Sequence, residues 1–243
     1  MINLEKPQRL DKVLAYLGYG TRSEVKKMLR YGDVLLNDEV VTDPGTKVSE
    51  EDTLVIDENE IVLSQNNFSH YILLNKPTGY ISSTIDEKYP SVNNLIGEVY
   101  AEKLFSIGRL DVDTTGLLIL TNDGLLAHRL THPRWKVPKI YTARLNEIPD
   151  PKKLAKLDNG VTLEDGYKTL PVLINDVNGE YVTITIIEGK FHIVKRIFAA
   201  IGYEVVELNR DSMAGLELDG LGEGEYRELT PEEVGFLKGQ VEL

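Results

Sequence analysis

Residues Gly108-Arg109-Leu110-Asp111-Val112-Asp113-Thr114-Thr115-Gly116 bring two carboxylates, a guanidinium and two hydroxyls together, directly ahead of the apolar run Leu117-Leu118-Ile119-Leu120. A polar loop anchored to a buried strand is where proteins place chemistry, because the scaffold fixes geometry while the loop stays accessible. Asp111 and Asp113 are both candidates for an ionised nucleophile or base. The competing reading is a turn whose carboxylates bond local amides, the ordinary work of loop aspartates. What favours chemistry is the sequel: Thr121-Asn122-Asp123-Gly124, then His128-Arg129-Leu130-Thr131-His132-Pro133-Arg134, then Lys139-Ile140-Tyr141.

Composition narrows the chemistry. The 243 residues contain no cysteine, which excludes disulfides, zinc–thiolate sites and thiol catalysis. Of the four histidines, His128 and His132 have the i, i+4 spacing of a helical metal pair, but no further ligand follows and Pro133 ends the helix, so no metal site is expected. No apolar run approaches ~20 residues, and Met1-Ile2-Asn3-Leu4-Glu5-Lys6 lacks a signal-peptide pattern. A cytoplasmic protein without membrane contact is expected.

The net charge of −12 is unevenly placed. Lys6, Arg9, Lys12, Arg22, Lys26, Lys27 and Arg30 outnumber the acids before Tyr31, and Arg129, Arg134, Lys136, Lys139 and Arg144 face no acid between His128 and Arg144. Two basic stripes on an acidic chain suit a polyanionic partner.

The elements that must position these residues can be read from periodicity. Leu10, Val13, Leu14 and Leu17 mark a helix stopped by Gly18 to Gly20. Thr21 and Glu24 form a capping box ahead of a second helix, with Val25, Met28 and Leu29 inward. Short strands follow at 33–37 and 52–56, and Ser64-Gln65-Asn66-Asn67 reads as linker. Further strands are expected at 71–75, 117–121, 140–145, 182–187, 205–208 and 215–218, and helices at 124–130, 151–157, 191–201 and 231–237. This interspersion without strict alternation predicts an α+β fold: a small αββ module and a mixed, largely antiparallel-sheet domain.

Arg9-Leu10-Asp11-Lys12, Gly18, Thr21-Arg22, Gly32-Asp33-Val34 and Asn37 resemble the S4 RNA-binding domain. The resemblance implies RNA-phosphate contacts by Arg9, Lys12, Arg22, Lys26 and Lys27, which add salt-dependent affinity without reading sequence. Lys76-Pro77-x-Gly79, the Gly108–Leu118 loop, Thr121-Asn122-Asp123-Gly124, Thr131-His132-Pro133, Lys139-x-Tyr141 and Glu188-Gly189-Lys190-Phe191-His192-x-Val194-Lys195-Arg196, in this order, resemble the RsuA branch of the pseudouridine synthases. Domains are thus expected at 1–63 (S4-like) and 70–243 (catalytic), with a linker at 64–69.

That family breaks the N1–C1′ bond of a uridine in RNA and joins C5 to C1′, without cofactor. The resemblance implies Asp111 as the catalytic carboxylate, whether it adds to the base, attacks C1′ or assists proton removal at C2′. It implies Tyr141 against the uracil face and Lys195 as the cation paired with Asp111, with Arg196 its competitor. Arg109 would fill the space left by a flipped base, a step that costs a few kcal/mol of stacking. Arg129, Arg134, Lys139 and Arg196 are expected to contact RNA. Relatives commonly carry glutamine where this chain has Ile193. The stretch Val161-x-Leu163-Glu164-Asp165-Gly166-Tyr167 through Pro171-Val172 most resembles the enzyme of uridine 516 in 16S rRNA. The expected partner is 16S rRNA or a small-subunit assembly intermediate, met by a monomer. The alternatives are a 23S rRNA synthase of the same branch and a non-catalytic RNA-binding assembly factor.

Overall fold

The computed structural model describes residues 4, 6–17, 19–56, 59–63, 69–83, 88–98 and 100–243. The chain divides into two compact units. The first spans Met1–His70 and takes in Glu98–Lys103, a segment expected in the catalytic domain; the second comprises Tyr71–Gly97 and Leu104–Leu243. Gly18 and residues 64–68 of the expected linker lie outside the described residues.

In the first unit, β1 (Gln8–Arg9) leads into α1 (Leu10–Tyr16) and α2 (Arg22–Tyr31), followed by β2 (Val34–Leu36), β3 (Glu39–Val40), β4 (Lys47–Val48), β5 (Thr53–Ile56) and β6 (Asn59–Val62). The expected capping box is present: Thr21 Oγ1 accepts from Glu24 N while the Glu24 carboxylate accepts from Thr21 N. Gly32 ends α2 in the left-handed conformation at φ 80°, which L side chains rarely adopt. The four-stranded sheet runs β3-β2-β5-β6, and Leu10, Val13, Leu14, Val25, Leu29, Leu54 and Ile56 form the core.

The second unit is built on one large mixed sheet. Its strands are β7 (Tyr71–Lys76), β8 (Phe105–Ser106), β9 (Thr114–Thr121), β10 (Lys139–Leu145), β11 (Leu173–Asn178), β12 (Tyr181–Ile186), β13 (Val205–Met213), β14 (Leu216–Glu217) and β15 (Tyr226–Glu228). The order is β11-β12-β10-β13-β9-β7-β15, with β14 on β13 and β8 on β9. Among the described strands of this sheet only β9 and β13 pair in parallel, so the α+β class and the mixed, largely antiparallel sheet are as expected. Helices α3 (Gly124–Thr131), α4 (Pro151–Leu154), α5 (Ile193–Ala200) and α6 (Pro231–Gln240) complete the unit. Asp123 caps α3 by accepting from Leu125 N and Leu126 N.

Several elements depart from expectation for reasons of pairing. Strand β9 begins at Thr114 and not Leu117, because β13 reaches it with Leu208 opposite Thr114 and Arg210 opposite Gly116. The two backbones come so close that a Cβ on Gly116 (φ 102°) would sit 2.3 Å from Arg210 O. The expected helix at 151–157 is one α-turn followed by a 3-10 segment, Ala155–Asn159. Helix α5 begins at Ile193, because Phe191 and His192 form the turn that enters it.

Candidate active site

The loop at 108–113 is held from three sides. Ser82 Oγ donates to Leu110 O and accepts from Leu110 N, both at 3.0 Å, so one side chain fixes the peptide between Arg109 and Asp111. Gly79 N donates to Val112 O at 2.8 Å, and Thr114 N to Asp111 O at 3.1 Å. Beneath it, the fully buried Lys76 donates from Nζ to Pro77 O and Thr114 O, both at 2.9 Å. Burial pushes the Lys76 ammonium down to about 8 against the opposing pull of Asp113 and Asp111.

Asp111 faces a small cavity of about 50 Å³, lined also by Arg109, Tyr141, His192, Lys195 and Leu208. Its side chain is 28% exposed; Oδ1 lies 3.2 Å from His192 Nε2 and Oδ2 lies 3.8 Å from Lys195 Nζ. Lys195 belongs more closely to Asp113, donating to Oδ1 at 2.7 Å and Oδ2 at 2.8 Å. Lys195 thus pairs with Asp111, as expected, but at the longer distance, and more closely with Asp113. The ammonium bridges the two carboxylates and sits on the outer one, because α5 delivers it over the exposed rim of the loop. Burial raises Asp113, but the hydrogen bond and charge of Lys195 outweigh it and hold the carboxyl below its ordinary range.

Tyr141 is the third residue of β10, a strand whose burial alternates, so Lys139, Tyr141, Ala143 and Leu145 share the covered face. The Tyr141 hydroxyl accepts from Arg210 Nη1 at 3.5 Å. Arg210, 1% exposed, also donates from Nε to Leu117 O at 2.7 Å, while its Nη2 has no partner among the described residues. Thr114 Oγ1, on the cavity wall, is likewise buried without a partner among the described residues.

The expected RNA contacts divide. Arg109 is exposed and lines the cavity, and Lys12, Lys26, Lys27 and Arg134 are exposed. Arg9 and Arg22 both bind the buried Asp11, at 3.0 and 2.8 Å, with their side chains still 44% and 55% exposed. Burial raises Asp11, and the two guanidiniums more than offset it and lower its pKa. Three expectations need correction. Lys139 is buried and donates to Val137 O at 2.9 Å, so its ammonium is turned away from a phosphate, and burial with the nearby Arg210 lowers it to about 8. Arg129 spends its Nη1 on Val241 O and Glu242 O at the end of α6. Arg196 is held by Asp165 at 2.5 Å, on the 161–172 stretch. That also removes it as the competitor of Lys195.

Sequence reasoning missed Arg210 at this site and left the role of His192 open. The signal for Arg210 was a period of two: Leu208, Arg210 and Ser212 are buried along β13. His192 stands in the Glu188–Arg196 motif, but neither its left-handed backbone (φ 48°) nor its approach to Asp111 is announced by its side-chain type. Among the described residues no group of three or more His, Asp or Glu could hold a metal ion.

Comparison with known proteins settles the family. The model of the RNA pseudouridylate synthases matches residues 70–200, and that of the S4 domain matches residues 8–54. The chain belongs to the RNA pseudouridylate synthase family. It is an enzyme of that family carrying an S4 domain. The ribosomal large subunit pseudouridine synthase B of Bacillus subtilis is 38% identical over 237 residues, covering 95% of this chain and 96% of that protein. The ribosomal small subunit pseudouridine synthase A of Escherichia coli is 38% identical over 231 residues, covering 94% and 99%. A solved pseudouridylate synthase is 36% identical and superposes with a TM-score of 0.67, covering 94% of this chain and 99% of the other.

Proposed function

We propose that this synthase isomerises a single uridine of 16S ribosomal RNA, uridine 516 being the site its sequence suggests, with Asp111 as the catalytic group and no cofactor. The observation that carries the reading is Asp111 itself: a carboxylate on a triply braced loop, opening on a cavity with Tyr141, and flanked by His192 and Lys195. One ionised carboxylate beside sugar and base suits a reaction that breaks N1–C1′, forms C5–C1′, loses the C5 proton and protonates N1, with no net redox change. Lys195 and His192 hold the carboxylate in place, and the Asp113–Lys195 pair ties α5 to the loop. Tyr141 offers a ring for the uracil face. Because arginine only donates, Arg210 occupies an acceptor position of the Tyr141 hydroxyl and leaves its own hydrogen free for the substrate.

The ribosomal target rests on relatives: the E. coli small-subunit enzyme supports 16S rRNA. The equally similar B. subtilis large-subunit enzyme favours a second reading, a uridine of 23S rRNA. In the same proposal the S4 domain contacts RNA phosphates through Lys12, Lys26, Lys27 and the free edges of Arg9 and Arg22. Pseudouridine mapping of both rRNAs from cells lacking this protein tests it. One missing modification in 16S rRNA is the expected result. One missing in 23S rRNA transfers the assignment to the second reading, and intact maps of both overturn the ribosomal target.

A further inference from the structure

Beside the Asp111 cavity lies a larger one of about 290 Å³, which shares Arg109, Asp111, Lys190 and His192 with it. Phe191 forms part of its wall, yet 68% of this residue is exposed. A lone exposed apolar side chain is ordinary on a protein surface. This one is stacked on His192, with ring centroids 3.6 Å apart and planes inclined by 21°. The backbone beneath is held left-handed at His192 (φ 48°), where a side chain other than glycine is strained. The His192 ring is in turn set 3.2 Å from Asp111 Oδ1. A strained turn thus fixes a two-ring shelf whose inner ring adjoins the proposed catalytic carboxylate and whose outer ring is open.

The shelf has charge at hand. Arg109 and Lys190 are both exposed on the same cavity. Lys190 Nζ stands 3.5 Å from the centroid of the Tyr167 ring, and the Tyr167 hydroxyl donates to Glu188 at 2.5 Å, which places this cation beside the turn. An open π-face with flanking cations is the chemistry that holds an unpaired nucleobase and its phosphate. The volume sits at the lower end of small-ligand sites, about 300–1,000 Å³, and suits one nucleotide better than a duplex.

We propose that Phe191 and His192 form a stacking subsite for the nucleobase next to the target uridine, with Lys190 on its phosphate. The inference rests on the RNA-isomerising reading of the adjacent Asp111 cavity and adds to it a second nucleotide position.

Two measurements test it. The first uses unmodified 16S and 23S rRNA transcripts and compares wild type with Phe191→Leu, which keeps apolar bulk without a π-face, and Phe191→Tyr, which keeps the ring. Loss of one base–aromatic stack raises KM by about 5-fold to about 150-fold. The expected result is such a rise for Phe191→Leu, with kcat largely kept and Phe191→Tyr near wild type. An unchanged KM overturns the subsite. A fall in kcat at constant KM also overturns it, since Phe191 would then only support His192. The second uses a single-stranded RNA dodecamer with one uridine flanked by 2-aminopurine. Wild type should quench one flank on binding, and Phe191→Leu should not. Quenching that survives in Phe191→Leu overturns the subsite whatever the transcripts show. Turnover of neither transcript by wild type counts against the ribosomal target alone.

Discussion

Lys139 is expected to weaken the fold at neutral pH, and the size of the effect follows from its surroundings. The side chain is buried, its ammonium has one carbonyl partner, Val137 O, and it makes no ion pair among the described residues. Burial, with the charge of Arg210 adding, lowers its pKa from 10.5 to about 8. A folded pKa below the unfolded one means that the unfolded chain binds more protons between about 8 and 10.5, so this group's contribution to stability rises with pH through that window. Below about 8 the full penalty applies. At about 1.4 kcal/mol per unit, it comes to about 3 kcal/mol. Lys139→Met keeps the aliphatic stem and removes the charge, while stranding the Val137 carbonyl at a cost of about 1 kcal/mol. Denaturant unfolding should therefore find the variant more stable than wild type by about 2 kcal/mol at pH 7, with the advantage fading and reversing towards pH 10.5. The salt dependence of RNA binding should not change. A variant less stable than wild type at both pH values would refute the electrostatic reasoning. A salt slope reduced by about 0.7–0.9 would return Lys139 to the RNA contacts.

Three further outcomes are expected. Lys26→Ala with Lys27→Ala should weaken RNA binding broadly and flatten its salt slope by about 0.7–0.9 per lost phosphate contact without changing the product; filter binding across a salt series reads this, and an unchanged slope removes these lysines from the interface. Arg109→Ala should reduce kcat/KM more on a folded rRNA fragment than on a short single strand if the guanidinium fills the place of a flipped base, since unstacking is costly only where the base is stacked; equal losses would assign Arg109 to positioning Asp111 instead. Arg210→Met should cost activity in wild type but little more in Tyr141→Phe if it acts through the tyrosine hydroxyl, with Arg210→Lys recovering part of the loss; the same factor in both backgrounds would make Arg210 purely structural.

What could be read from the sequence was what short-range physics decides. The Thr21–Glu24 capping box, the short helix that became α3 and the alternating strand at β12 need only neighbours in the chain, and each lies where its pattern put it to within a residue. Strand ends and partnerships were less legible, because pairing between distant segments sets them. Thr114 joins the sheet only because β13 arrives alongside, and the short, largely exposed β11 places Leu173, Ile174 and Val177 without the period-two alternation that marks a strand. The braced loop with Asp111 was legible as a motif. The sharing of Lys195 between Asp111 and Asp113 was not, since it depends on how α5 crosses the loop. Lys139 could have been found: its alternation with Tyr141, Ala143 and Leu145 puts it on the covered face of β10.

The central claim is that the Asp111 carboxylate, and not that of Asp113, performs the isomerisation. Asp111→Asn and Asp113→Asn each keep shape and remove one charge, and release of tritium from 5-labelled uridine in rRNA follows the loss of the C5 proton directly. The account predicts that Asp111→Asn binds RNA and releases no tritium above background. Asp113→Asn should retain turnover at a reduced rate, because its loss frees Lys195 without removing the reacting group. Tritium release near the wild-type rate by Asp111→Asn, or its abolition only in Asp113→Asn, would contradict it.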